Sequence, residues 1–452
     1  MADVNNLPRR VRRYARVSTA MGGLAARLAG KRYLGLNLDR GRHAADLTSA
    51  LGNLKGPLMK VAQLLATIPD ALPEEYAAEL AALQSNAPPM GWSFVRRRMS
   101  SELGPDWEKK FKSFEHEASH AASLGQVHRA VSRAGKHLAC KLQYPDMESA
   151  VEADLKQLKL LMGLYERYDR AISTEEVHKE ISERLREELD YTREATHMRL
   201  FRVMLKAEKH VYVPEHVPDF STKRLLTMSW LEGVPFLDAT KGKLSARNAV
   251  ARNMFRAWYV PFYFYGVIHG DPHLGNYTVA ASGEGGAREV EGVNLFDYGC
   301  VRIFPPRFVL GVVELYQALK ANDRGRIEAA YGLWGFRKLT RGTTEAMTIW
   351  ARFMCGPILD DRVRSAADGV KPSEYGRREI GQVMRALKAE GGGLPVPREF
   401  VFLERATIGL GSAFLRLGAR LNFHRMYEDA IAGFDESEVA RRQAEALAAV
   451  GL

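Results

Sequence analysis

Asp271, Asn276 and Asp297 have the residue types and spacing that metal-assisted phosphoryl transfer requires. They stand in His269-Gly270-Asp271-Pro272-His273-Leu274-Gly275-Asn276 and in Asn294-Leu295-Phe296-Asp297-Tyr298-Gly299. In such chemistry one loop holds a carboxylate beside the accepting nucleophile and, five residues on, a side-chain oxygen on a magnesium ion. A second carboxylate for the metal comes from the end of a following strand. Neither segment carries this reading alone. Their order, and the strand-like residues between them, carry it together.

The elements that position these groups are partly readable. A helix over 250–265, burying Met254, Phe255, Trp258, Tyr259 and Phe262, feeds the Asp271 loop, and the glycines at 282–286 mark a hairpin tip before Asp297. Upstream, the pattern predicts antiparallel strands over 114–119, 125–131 and 137–143. The third holds Lys141 among apolar neighbours, which is costly unless its ammonium meets a phosphate or a carboxylate; a wet edge-strand face is the bland alternative. Helices are expected over 147–168 and 173–206. On the second, Glu187, Asp190 and Glu194 share one face, and Glu194 is the candidate partner of Lys141. The same segment also fits a surface helix laced by Arg184–Glu188 and Arg186–Asp190 pairs. Strands over 211–214 and 224–230 complete a five-strand count, with a hinge at 228–231.

Composition is that of a globular protein, 46% hydrophobic and 26% charged, with a net charge of +11. The basic excess gathers in residues 1–45, where ten arginines and lysines face only Asp3 and Asp39. Across 7–32 the apolar residues recur at helical spacing, ringed by arginines. Such a helix suits an anionic membrane surface, docking on its own protein, or a transit peptide, and a disordered tail is the bland alternative. Cys140, Cys300 and Cys355 lack paired or metal-like spacing, which points to a reducing compartment. No stretch reaches the roughly 20 apolar residues of a membrane span, and no zinc, haem or nucleic-acid module is recognisable. Residues 46–104 read as helices closed by Pro88-Pro89. Lys60-Val61-Ala62-Gln63 within them is, by composition, an ordinary solvated face.

Taken together, these segments resemble the UbiB family of atypical, protein-kinase-like proteins, over about 51–305 and more loosely at 400–420. Lys60, Gln63, Pro69-Asp70, Leu72-Pro73, Tyr76, Leu83-Gln84 and Pro88-Pro89 follow the order of the family's signature extension. Residues 120–128, with Ala121, Ala122, Ser123, Gln126 and Val127, resemble the Ala-rich loop that replaces a kinase Gly-rich loop. Lys141 matches the nucleotide lysine, Glu188 and Asp190 the Glu-x-Asp, Glu194 the ion-pair glutamate, and 269–276 the catalytic loop. The chain departs from the pattern at Ala62, where the family has glycine, and at His120, Gly270, Leu274 and Tyr298. None of these removes a charged catalytic group.

The resemblance implies an α+β, bilobal protein-kinase-like fold. Its parts are a basic arm (1–45), a helical extension (46–104), a kinase-like N-lobe (105–235) and an enlarged, mostly helical C-lobe (236–452). ATP with Mg2+ is expected between the lobes. Lys141, held by Glu194, would face the α/β phosphates, with Ala121, Ala122, Ser123, Gln126, Val127, Met228 and Trp230 around the nucleotide. Asn276 and Asp297 would hold the metal, and Asp271 would orient or deprotonate the acceptor. Lys60 and Gln63 are expected to obstruct a protein substrate. That favours an ATPase or small-molecule kinase of ubiquinone (isoprenoid quinone) biosynthesis, acting on or beside an isoprenoid lipid or quinone precursor with other quinone-biosynthesis enzymes. Its expected place is the cytoplasmic membrane surface, or the matrix face of the mitochondrial inner membrane. A non-catalytic nucleotide-sensing scaffold for lipid-processing enzymes is the alternative. A conventional Ser/Thr kinase is a second, against which stands the absence of an Ala-Pro-Glu after Gly299.

Overall fold

The computed structural model describes residues 90–122, 124–166, 174–282, 289–336, 339–366, 368 and 398–452. The arm, most of the extension with Lys60, Ala62 and Gln63, and Ser123 lie outside them. The chain divides into two compact units, one holding the residues up to Tyr191 together with Pro218–Thr227, the other Thr192–Val217 and Met228–Leu452.

Among the described residues the first unit opens with α1 (Trp92–Leu103), at the end of the stretch expected to be helical. Its Trp92 joins Trp107, Phe114 and a stacked His116, so aromatic burial fixes it against the sheet that follows. Four strands come next: β1 (Phe111–Phe114), β2 (His120–Ala122), β3 (Gly125–Ser132) and β4 (His137–Gln143). The strand expected over 114–119 is corrected to two short ones on the same edge of β3, with β1 against Ala130–Ser132 and β2 against Gly125–Val127. Glu115 and Ser119 still donate to Arg129 and Val127, while the residues between bend away.

Helices α2 (Met147–Glu166), α3 (Thr174–Glu188) and α4 (Tyr191–Met204) follow. The single helix expected over 173–206 is therefore two. At the break the Leu189 carbonyl accepts from the Gln143 side chain at 2.5 Å, and the Tyr191 N–H donates to Lys223 at 3.1 Å. Bonds to β4 and to the turn at Lys223 replace helical ones, so Glu187, Asp190 and Glu194 do not share one helical face. The chain continues through β5 (Val211–Tyr212) to β6 (Leu225–Ser229), which completes the five-stranded sheet beside β4. β5 is not in that sheet. It belongs to the second unit and pairs there in parallel with Val293 and Asn294.

In the second unit, β7 (Val234–Pro235) and α5 (Phe236–Ala239) precede α6 (Leu244–Tyr265), β8 (Val267–His269), β9 (Tyr277–Ser282), β10 (Glu289–Leu295) and β11 (Val301–Ile303). α6 begins earlier than the predicted 250 and buries Met254, Phe255, Trp258 and Phe262. It stops at Gly266, whose φ of 64° suits glycine at a helix C-terminus. β9 and β10 form the expected hairpin in a four-stranded sheet ordered β5-β10-β9-β7, while β8 and β11 pair separately. Among the described residues six helices complete the unit: α7 (Pro306–Ala321), α8 (Arg324–Leu333), α9 (Arg341–Leu359), α10 (Arg398–Leu417), α11 (Phe423–Ile431) and α12 (Glu436–Ala448). Gln443 of α12 donates to the carbonyls of Tyr265 and Phe304, at 2.7 and 2.8 Å, and so braces the β8–β11 pair at its base.

Candidate nucleotide and metal site

Antiparallel pairing of His269 with Val301 sets the two polar segments side by side within the second unit. Three bonds join them. The Gly270 N–H donates to Cys300 at 2.9 Å, the Phe296 N–H donates to Asn276 at 2.9 Å, and the His269 Nε2 donates to the Phe296 carbonyl at 3.1 Å. A Cβ at position 270 would lie 2.3 Å from the Cys300 carbonyl oxygen, so this close approach accounts for the glycine that departs from commoner loop residues.

Within the loop, the Asn276 Nδ2 donates to the Asp271 carboxylate at 3.2 Å and to its carbonyl at 3.3 Å. The amide orientation this fixes turns Oδ1 away from Asp271. The His273 ring accepts from the Gly275 N–H at 3.1 Å and shapes the short turn ahead of Asn276. Asp297 adopts φ +60°, in the left-handed region that aspartate enters more readily than most residues, and its carboxylate accepts from the Gly299 N–H at 3.3 Å.

Beneath both segments lies the His269 ring. Phe201, Trp258, Tyr277 and Tyr298 surround it at centroid distances of 5.9, 6.0, 6.3 and 5.6 Å. Tyr298 is buried, donates its hydroxyl to Leu295 at 2.9 Å, and accepts at its carbonyl from His197 of α4 at 3.1 Å. Burial pushes the hydroxyls of Tyr277 and Tyr298 well above the ordinary tyrosine range, assisted at Tyr277 by the Asp271 charge and at Tyr298 by its neighbours, Glu194 and Asp297 among them. Both phenols stay neutral and do not compete with the carboxylates as anions. Glu194 itself is buried in the first turn of α4, where a helix N-terminus favours a carboxylate.

In the first unit, Lys141 on β4 is buried opposite Val127 of β3, and its Nζ lies 5.2 Å from the centre of the Tyr191 ring. The Ala-rich segment is the β2–β3 hairpin, pairing His120 with Val127, Ala121 with Gln126 and Ala122 with Gly125. Gly125 is obligatory there, because a Cβ would meet the Leu142 carbonyl oxygen at 2.1 Å. Gln126 is buried and its carboxamide is fully engaged. Oε1 accepts from the Met90 N–H at 2.6 Å, while Nε2 donates to the Met90 carbonyl at 3.3 Å and to His128 Nε2 at 2.7 Å. Its side chain clasps the chain ahead of α1 to the sheet. Glu188 ends α3, and Asp190 sits in the break after it with its N–H on Glu187. Met228 and Trp230 flank Ser229, which exchanges two bonds of 2.8 Å with Glu215.

Residues 82–331, more than half of the chain, match the ABC1 atypical kinase-like domain. The chain belongs to this family. The resemblance read from the motifs is thereby borne out, as is the α+β kinase-like fold. The chain is 25% identical over 400 residues to "Atypical kinase COQ8, mitochondrial" of Saccharomyces cerevisiae, covering 88% of this chain and 76% of that protein. It is 30% identical over 295 residues to the uncharacterized protein slr0889 of Synechocystis, covering 62% of this chain and 70% of the other. A solved complex of Rv3197 with erythromycin, from Mycobacterium tuberculosis, shares the fold at a TM-score of 0.61 and 24% identity, spanning 92% of this chain and 99% of that one.

For an ABC1 domain the donor set around Asp271 is informative. Among the described residues no group of three or more His, Cys, Asp or Glu could hold a metal unaided. One carboxylate, on Asp297, and the Asn276 amide oxygen fit a hard cation that keeps most of its shell for water and phosphate oxygens, which is magnesium's usual arrangement. Sequence reasoning missed His197, Gln443 and the engagement of Gln126. Their partners lie 101, 139 and 36 residues away, at distances no local spacing encodes.

Proposed function

We propose that the chain is an ATP-using enzyme of the atypical kinase type, an ATPase or small-molecule kinase that serves isoprenoid quinone biosynthesis at a membrane surface. The observation that carries the reading is the Asp271–Asn276 bond in a loop zipped to Asp297. Asn276 points its amide nitrogen at Asp271 and so offers its oxygen to a cation. Asp271 keeps a carboxylate for the acceptor. Lys141, an ammonium buried on an apolar strand, neutralises the α/β phosphates of the nucleotide. Magnesium held by Asn276 and Asp297 would supply charge neutralisation at the phosphates. Asp271 orients the accepting hydroxyl or water and takes its proton, while the other groups fix the geometry.

The mitochondrial COQ8 relative and the basic arm support the quinone and membrane part of the reading. No helix among the described residues is long and apolar enough to cross a membrane, which is compatible with peripheral attachment. The test is ATP turnover by the wild type and Asp271→Asn, with and without anionic liposomes. Phosphate release that liposomes stimulate and that falls about 10²–10⁴-fold in the variant supports the reading. Nucleotide binding without turnover in either protein overturns it and assigns a nucleotide-sensing scaffold instead.

A further inference from the structure

Apart from the site above, the helices of the second unit line a half-open cavity of about 140 Å³. Its wall is almost wholly apolar and rich in rings: Trp258 and Tyr263 of α6, Leu315 of α7, Trp350 of α9 and Tyr427 of α11 all line it, together with Ile268 of β8. Two helices that wall it carry an internal proline, Pro261 in α6 and Pro357 in α9. Each lacks the N–H that would bond within its helix. Along α9, Met354, Cys355 and Ile358 line the space and stay half-buried, which makes it reachable along that helix.

Protein interiors hold few voids larger than a water molecule, because lining atoms without neighbours lose their contacts. A water here would find few partners. Tyr427 donates to Tyr263 at 3.0 Å and Thr407 to the Leu403 carbonyl at 2.7 Å, so part of the scarce polar lining is already engaged. Apolar cavities of about 150 Å³ stay dry and take up benzene or xenon.

We propose that this cavity is a binding site for a single apolar ring, separate from the nucleotide groups. Its position gives the occupant a route to the catalytic loop. Ile268 immediately precedes His269, and the Trp258 ring on the cavity wall also flanks the His269 ring at 6.0 Å. The site stands whether or not the chain turns over ATP.

The experiment is 19F NMR of fluorobenzene with the full chain, with toluene as competitor. Saturable broadening that toluene reverses, and that weakens at least tenfold in Ala351→Leu and Ala406→Leu, supports the site. Both alanines are on the cavity wall and buried, so leucine fills the space. No saturable binding by the wild type up to fluorobenzene's solubility, or undiminished binding in both folded variants, overturns it. Should the variants fail to fold, transfer of magnetisation from toluene ring protons in the wild type decides. Transfer to the methyls of Ile268 and Leu315 supports the site, and transfer only to other methyls overturns it.

Discussion

His197 donates from Nδ1 to the backbone carbonyl of Tyr298 at 3.1 Å, so the helix that carries Glu194 is tied directly to the residue after Asp297. Both groups are buried, and removing one leaves the other without this bond in a place water does not reach.

His197→Phe is therefore expected to lower stability by about 1–3 kcal/mol and to lower kcat about tenfold through a displaced Asp297, an effect worth about 1.4 kcal/mol in the barrier. Chemical denaturation and ATP turnover check this together. A variant that loses stability but keeps kcat would show that the tie supports the fold alone.

Gly270→Ala places a methyl 2.3 Å from the Cys300 carbonyl oxygen, where backbone and not a flexible side chain must yield. The expected cost is about 1–3 kcal/mol of overpacking strain. Spreading of the two loops should also depress turnover more than nucleotide affinity. Gly275→Ala, whose nearest neighbour is the His273 side chain at 3.0 Å, should be milder.

The clasp around His128 predicts a pH dependence. Burial lowers the His128 pKa below its ordinary 6.5. The Glu115 carbonyl, which accepts from Nδ1, opposes this shift without overcoming it, while Nε2 accepts from Gln126, whose Oε1 is already held by Met90. The folded state thus favours the neutral ring, while the unfolded chain takes up a proton near the ordinary value. Stability from this site is full above about pH 6.5 and declines as pH falls from there toward the folded-state pKa. Thermal unfolding followed from pH 7.5 to 5 should show this decline, and His128→Leu should flatten it. An equal slope in both proteins would assign the dependence elsewhere.

Cys140 is fully buried beside Lys141, and burial pushes its thiol up to about 12. Despite the neighbouring cation it should resist alkylation at pH 8 in the folded protein and react only on unfolding. Mass spectrometry after a timed iodoacetamide pulse measures this directly.

Much of the candidate site's local geometry was legible because its signals are local. Lys141 in an apolar strand, Asp271 and Asn276 five residues apart, and the glycine-marked hairpin each depend on a few neighbouring residues. The errors arose where distant groups override local preference. The apolar and charged periodicity runs unbroken through Leu189 and Asp190, yet Gln143 and Lys223 capture the backbone there and split the helix. Likewise, Val211 and Tyr212 have strand composition that cannot say which sheet they join, and a parallel partner in β10 decided it. Nor could local spacing show that the Met90 backbone holds the side chain of Gln126.

The brace formed by Gln443 bears on how the protein is made. Its side chain closes on Tyr265 across 178 residues of sequence. A nascent chain therefore exposes the Asp271 loop long before α12 has been synthesised to support the strands beneath it. Until then the loop's footing is incomplete, and the growing polypeptide passes through synthesis with these two strands unbraced.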